Sequence, residues 1–403
     1  MEEIQTEKKG FLTKKVTIII AAVALVVIVG GGIGVYFAFF SDKWVAKVNG
    51  EKITLTQFNN QYYALNRRNF DMTNEDINKL SNDSNEVAQN PSLNKSDFLN
   101  QMVDQLVVYQ VAKDAGYTKK PELLILDDYQ LQTLVSKYYI ISALKDKIRA
   151  TDQEVADAYA KNKAQFGGAP LQMVEQRIRT YISDQKLQVE QNKKLQELRE
   201  NAQIDRNEDI INKLMDPDKT KQPKKGNIVT IKGKNITTKS ISVEEFLKSY
   251  YLQFKVNYTM DEATVDKLAN DPAAMEQNPL FNKKLFLDQI IGQYLFYEEA
   301  RNAGIFKNPD VLGLRDYYSK QLVTIYYITE KYAKDAEVTP QEIAAEYSRL
   351  KSRIPPTMLP DLVEASIRKN LEQQKLSRKL PEVVSLLRDK ASKEKNLSLL
   401  QSR

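Results

Sequence analysis

The chain has 403 residues, 42% hydrophobic and 28% charged, which suits a folded protein of two or three domains and excludes wholesale disorder. It has no cysteine and no histidine, which removes disulfides, thiolate nucleophiles, zinc–cysteine sites, a lipid-anchor cysteine, the Ser-His-Asp and Cys-His systems and most transition-metal sites. The net charge of +6 comes from 59 basic and 53 acidic residues interleaved along the chain, not from the clustered basic face that nucleic-acid binding calls for.

Val16 to Phe40 carries no charge and is almost wholly apolar or small. As a helix it would reach about 37 Å, enough for a hydrocarbon core of about 30 Å. Lys8, Lys9, Lys14 and Lys15 precede it and Asp42 follows, so the positive-inside tendency keeps residues 1–15 as a cytoplasmic tail and sends the rest across. The stretch is longer than a signal-peptide core of about 7–15 residues and lacks a good Ala-x-Ala site. The expectation is therefore an uncleaved transmembrane signal anchor over 16–40. Gly30 and Gly34 form a GxxxG within it, a weak dimerisation signal.

After the anchor the sequence repeats itself. Phe58 matches Phe246, 188 positions on, as Tyr62-Tyr63 matches Tyr250-Tyr251 and Gln89-Asn90-Pro91 matches Gln277-Asn278-Pro279. Lys95, Phe98, Leu99 and Gln101 recur as Lys283, Phe286, Leu287 and Gln289, and Tyr138-Tyr139-Ile140 recurs as Tyr326-Tyr327-Ile328. The same offset runs without a gap to Leu171 and Leu359. An internal repeat of this length indicates a duplicated unit.

Each copy opens with a β segment. Val45–Val48 and Glu51–Thr54 flank Asn49-Gly50, a strong hairpin signal, and Ile228–Ile231 and Asn235–Thr238 flank Lys232-Gly233-Lys234. Helices follow. Thr54-x-x-Gln57, Ser242-x-x-Glu245, Thr151-x-x-Glu154 and Thr339-x-x-Glu342 read as capping boxes. Asn94 and Asn282 suit N-caps, Gly116 and Gly304 suit left-handed helix ends, and Pro121 and Pro309 suit first helical positions. Phe98, Met102, Leu106, Tyr109 and Ala112 form one apolar stripe, and Leu131, Leu134, Val135, Tyr138 and Ile141 another. Leu171–Ala202 and Leu359–Ala391 are long charged helices. The polar, proline-bearing stretch 207–227 reads as a linker, and the residues beyond Ala391 as a frayed tail.

The opening from Trp44 to Phe58, with Val48-Asn49-Gly50 and Ile53-Thr54 ahead of Phe58, resembles the start of the SurA-type chaperone domain of the SurA, PpiD and PrsA foldases. Thr151 to Phe166 is similar to the family helix that ends where a parvulin prolyl-isomerase domain is inserted. The resemblance covers about residues 41–203 and passes to the second copy through the repeat; the anchor arrangement is most similar to PpiD. Here only Gly167-Gly168-Ala169-Pro170 and Pro355-Pro356-Thr357 fill the two insertion points, and neither can hold a parvulin domain. The family's isomerase histidines are absent too. The resemblance thus implies the chaperone part of a foldase, twice over, and not an enzyme.

The expected fold is mainly α: an N-terminal transmembrane helix, a first SurA-like helical module over 41–206, a linker over 207–227, a second module over 228–392 and a tail over 393–403, each module with a small β hairpin. The expected function is an ATP-independent, membrane-anchored holdase for unfolded or nascent secreted and envelope proteins. The expected place is a single-pass position in a bacterial inner membrane, with the bulk in the periplasm or equivalent extracytoplasmic space. The alternative is a non-catalytic scaffold or accessory subunit of an envelope complex such as a translocon, and the third reading is an isomerase relative with residual activity. No cofactor, metal or nucleic acid is expected: Asp127-Asp128 and Glu298-Glu299 diverge on their helices and read as solvated faces. The candidate client-binding residues are Tyr62, Tyr63, Tyr138, Tyr139, Tyr250, Tyr251, Tyr326 and Tyr327. Side-by-side rings on a helix point about 100° apart, so one member of each pair should lie near the surface.

Overall fold

Asn49 and Gly50 take left-handed conformations (φ 50° and 84°), the backbone that a two-residue turn between twisted strands requires. They join β1 (Trp44–Val48) to β2 (Glu51–Thr54) as an antiparallel pair, with Val48 opposite Glu51. The structure is a computed structural model, and it describes residues 43–67, 72–355 and 358–401. Thr54 caps α1 (Leu55–Asn66) through a box with Gln57. Two short helices follow, α2 (Asn74–Ser81) and α3 (Ser84–Gln89), then two long ones, α4 (Lys95–Asp114) and α5 (Pro121–Ile148). Asn94 caps α4, Gly116 is left-handed beyond its end (φ 85°), and Pro121 opens α5. Next come α6 (Asp152–Asn162), α7 (Leu171–Glu200) and β3 (Gln203–Arg206).

The second half runs α8 (Glu208–Leu214), β4 (Asn227–Gly233), β5 (Ile236–Ser242), α9 (Val243–Tyr258), α10 (Glu262–Ala269) and α11 (Pro272–Gln277). It continues with α12 (Lys283–Asn302), α13 (Pro309–Lys331), α14 (Pro340–Leu350), α15 (Pro360–Lys390), β6 (Lys393–Lys395) and α16 (Ser398–Gln401). The fold is mainly α-helical. Local contacts recur at the same spacing as the residues. The Tyr62 hydroxyl donates to the Leu93 carbonyl at 2.8 Å and the Tyr250 hydroxyl to the Phe281 carbonyl at 2.7 Å. Phe58, Tyr62 and Phe98 form one aromatic cluster, and Phe246, Tyr250 and Phe286 another.

The packing does not divide the chain where the sequence does. β1 lies between β2 and β6, and β4 lies between β3 and β5, so the strand that ends each half completes the sheet of the other. The long helices do the same. α5 packs on α12 and α7, α13 packs on α1 and α4, and α15 packs on α4 and α9, while α5 and α13 also touch each other. One core joins Leu134, Val135, Tyr139 and Leu144 of α5 to Ile228, Phe246 and Phe286 of the second half. Another joins Val45, Phe58 and Phe98 of the first half to Leu400 at the far end of the chain. An apolar helix stripe must find a partner face, and here it finds the one in the opposite half.

Several expectations need correction. The 207–227 stretch is no loose linker: α8 buries Ile211 and Leu214, and the Leu214 carbonyl accepts from Lys283 Nζ at 3.3 Å. Residues 393–400 are packed rather than frayed, because β6 has β1 to pair with and Leu400 is buried. Ser242 accepts from the Glu245 N–H but forms half a box, since Lys239 takes the Glu245 carboxylate at 2.7 Å. Among the described residues no helix is long and apolar enough to cross a membrane. α7 and α15 are long but highly charged, and Asp127, Asp128 and Lys137 interrupt α5. This corrects the expected transmembrane signal anchor, and with it the membrane as a partner and the single-pass inner-membrane location. The tail 1–15 and the segment 16–40 on which that expectation rested, with Gly30 and Gly34, lie outside the described residues.

Candidate polypeptide-binding clefts

The structure places the eight tyrosines in two groups. Tyr62, Tyr139, Tyr250 and Tyr327 are buried, and Tyr63, Tyr138, Tyr251 and Tyr326 are half-buried. The members of each pair do diverge, but the outward ring meets another part of the chain rather than open solvent. Tyr63 donates to Asn78 Oδ1 at 3.2 Å and Tyr251 to Asp266 Oδ1 at 2.7 Å. Tyr326 lies 6.5 Å from the ring of Tyr117, which also meets Tyr327 edge-on at 5.2 Å. Tyr139 donates to Glu299 Oε2 at 3.4 Å. Tyr138 stands apart, because it lines an open cleft. Burial there pushes its hydroxyl pKa up to about 12, with Asp310 adding to the rise and Arg67 opposing it.

That cleft has a volume of about 530 Å³ and lies between α1, α5 and α13, walled by Ala64, Leu65, Leu134, Tyr138, Leu314 and Tyr318. A second, of about 400 Å³, lies on the other side of α5, between α5, α7 and α12. Its walls are Ile140, Ile141, Leu187, Leu195 and Phe296, with Gly292 in its floor. Tyr129, Thr133 and Lys137 line both clefts. They stand four residues apart on α5, so they form one ridge along the helix, with a cleft on each flank. A third space of about 120 Å³, between α5, β5, α9 and α12, also reaches Tyr129.

Two glycines set how closely the neighbouring helices approach. A Cβ at Gly313 would lie 2.4 Å from the backbone carbonyl of Asn60, so α13 rests directly on α1. Gln61 Nε2 donates to Asp316 at 2.6 Å and Arg67 pairs with Asp310 at 2.7 Å, fastening that contact. The residue 188 positions earlier is Ile125, and its bulk lines the gap between α5 and α9 where Gly313 closes the equivalent one. On the far flank, Gly292 lets Leu195 of α7 approach α12, where a Cβ would come within 3.3 Å of the leucine methyls.

The polar groups around the ridge are mostly amides and hydroxyls. Gln293 Nε2 donates to the Tyr129 carbonyl at 3.1 Å and to Thr133 Oγ1 at 2.9 Å, and Gln289 Nε2 donates to the Tyr129 hydroxyl at 3.3 Å. Ser136, in the wall of the second cleft, is buried, and its hydroxyl has no hydrogen-bond partner among the described residues. Lys137 is exposed and makes no ion pair among the described residues, whereas Arg67, Lys194 and Lys320 nearby in the sequence or fold are paired with Asp310, Glu197 and Asp316. Among the described residues no group of three His, Cys, Asp or Glu side chains is placed to hold a metal ion. The arrangement offers apolar walls, carboxamides, the exposed Lys137 and two charges already paired, Arg67 with Asp310 and Asp288 with Arg206. That set can hold a polypeptide, whose side chains are apolar and whose backbone pairs with amides and hydroxyls.

The ridge has its own signal in the sequence, distinct from the doubled tyrosines. Tyr129, Thr133 and Lys137 are not doubled tyrosines and lie off the apolar stripe of Leu131, Leu134 and Tyr138, so neither of those patterns marks them. A row of polar and aromatic residues at i, i+4 and i+8, on a helix whose opposite face is apolar, is the signal that marks it.

Residues 1–125 match the family described as the SurA-like N-terminal domain, and the chain therefore carries such a domain at its N-terminal end. This match is consistent with the SurA, PpiD and PrsA chaperone superfamily. No curated protein and no solved structure matches the chain.

Proposed function

We propose that this protein is an ATP-independent holdase that binds unfolded polypeptide in the clefts flanking α5. The observation that carries the reading is the pair of apolar-walled clefts sharing one ridge, Tyr129, Thr133 and Lys137, on a chain with a SurA-like N-terminal domain. Its architecture is read as two SurA-type units, 41–206 and 228–392, without a parvulin domain, whose later helices and end strands are exchanged. The recurrence of the Tyr62–Leu93 and Tyr250–Phe281 hydrogen bonds supports the duplication. Of the eight tyrosines, Tyr138 is assigned to client contact and the other seven chiefly to cohesion. Large apolar side chains that are exposed, such as Met173, Ile325 and Leu386, lie on separate helices, which favours many weak contacts over one fixed partner.

The test is suppression of aggregation of a chemically unfolded client, followed by light scattering. Thr133→Trp should obstruct both clefts from an exposed position, keep the melting temperature within a few degrees of the parent's and weaken protection severalfold. A normally melting Thr133→Trp protein that protects as well as the parent would refute the cleft assignment.

A further inference from the structure

The two clefts are separated by a single helix that carries a cation, Lys137, with no ion-pair partner among the described residues, and this sets a pattern that an occupant must satisfy. We propose that the α5 ridge selects extended client segments in which two apolar side chains, four residues apart, flank a central acidic residue. The proposal rests on the holdase reading above and names the sequence class that the site prefers.

The spacing comes from the helix. An α-helix with its side chains is about 10–12 Å across, and an extended chain advances about 3.3 Å per residue. Crossing from one cleft to the other therefore takes about four residues. In an extended chain residues i, i+2 and i+4 point to the same side. If i and i+4 enter the two clefts, i+2 faces the ridge between them. The cleft volumes, about 530 and 400 Å³, lie within the range of about 300–1,000 Å³ usual for binding sites.

The charge comes from Lys137. It lines both clefts, is exposed, and has no ion-pair partner among the described residues. Of the acidic groups near it, Asp288 is ion-paired with Arg206 Nη1 at 2.5 Å, and Asp128, which accepts from Gln132 at 2.8 Å, lines neither cleft. A segment laid across the ridge thus meets the Lys137 ammonium, while the one carboxylate in the linings of the two clefts, Asp288, is already paired with Arg206. The equivalent row on α13 is Tyr317, Gln321 and Ile325, which carries no charge, so the preference belongs to α5 alone.

The experiment measures binding of fluorescein-labelled peptides to the full chain by anisotropy. The peptides carry Leu-Ser-X-Ser-Leu in a neutral Gly-Ser carrier, with X as Glu, Gln or Lys, and a second set has the leucines two residues apart. The Glu peptide should bind about two- to fivefold more tightly than the Gln peptide at low salt and about tenfold more tightly than the Lys peptide, with the difference shrinking at high salt. The shortened set should bind more weakly whatever X is. Lys137→Ala should erase the preference and Lys137→Glu should reverse it, with melting temperatures near the parent's because Lys137 is exposed. Equal affinities for all X, or a preference that survives Lys137→Ala, would overturn the selectivity while leaving the cleft reading intact. Failure of every peptide to bind, with unfolded protein still protected, would overturn both the ridge pattern and the α5 location. Failure to bind peptide or unfolded protein would overturn the holdase reading as well.

Discussion

Glu154 and Glu342 each sit between a lysine and the N–H of a capping threonine. Glu154 meets Lys186 at 2.7 Å and the Thr151 N–H at 2.8 Å; Glu342 meets Lys375 at 2.8 Å and the Thr339 N–H at 2.8 Å. The lysine hydrogen bond first, then the threonine N–H, holds each carboxyl near a pKa of about 2 instead of 4.5. A depressed folded-state pKa means that the stabilisation is present above the unfolded value and is lost as pH falls through the folded one. Stability in urea should therefore drop between about pH 4.5 and 2, and a Glu154→Gln, Glu342→Gln protein should show a flatter profile across that window. An unchanged slope would show that the two carboxylates are not the groups taking up protons. The buried tyrosines make a sharper case. Tyr250→Ala removes a fully buried ring and should cost about 3–5 kcal/mol in urea unfolding, whereas Tyr250→Phe leaves the Phe281 carbonyl without its donor and should cost about 1–2 kcal/mol.

Between helices, the decisive contact is the one made through Gly313. Alanine is the better helix former by about 1 kcal/mol, but a Cβ at Gly313 would strike the backbone of α1, which has no flexible side chain to yield. Overpacking of this kind costs about 1–3 kcal/mol. At Gly292 the obstacle is the end of the Leu195 side chain, which can shift by a few tenths of an ångström. Gly292→Ala should thus leave the urea midpoint at or above the parent's, and Gly313→Ala should lower it. The reverse order would mean that α1 and α13 are not held in backbone contact.

For the molecule as a whole, the exchange of strands and helices makes each half depend on the other. The single tryptophan, Trp44, lies in β1, so its fluorescence reports on the first hairpin, while far-UV circular dichroism reports on all helices. The two probes should give one coincident transition, because α13 and α15 cannot leave the second half without uncovering the first. Two separated transitions would indicate independently folding halves. Removing residues 392–403 takes β6 from β1 and Leu400 from its core. The amides of Asn49 and of the β1 strand should then exchange hydrogen faster, those that pair with β6 most of all.

Local structure was legible from the sequence because its causes are local. The turn at Asn49-Gly50, the threonine caps at 54, 151 and 339, the prolines that open α5 and α13 and the left-handed Gly116 and Gly304 each depend on a few neighbouring residues. The repeat likewise announced that the same helices would form in each half. Which half each long helix would join was not legible. α4 and α12 carry similar apolar residues 188 positions apart, so residue pattern alone cannot choose which of them α5 packs on. The choice fell to three-dimensional contacts made at a distance: Gly313 against Asn60, β6 beside β1, β3 beside β4. The clefts follow from that choice, since each is walled by one helix of α5's own half and one of the other, α1 with α13 on one flank and α7 with α12 on the other. The residues of the ridge were in the sequence, but the space on either side of them is a property of the tertiary packing.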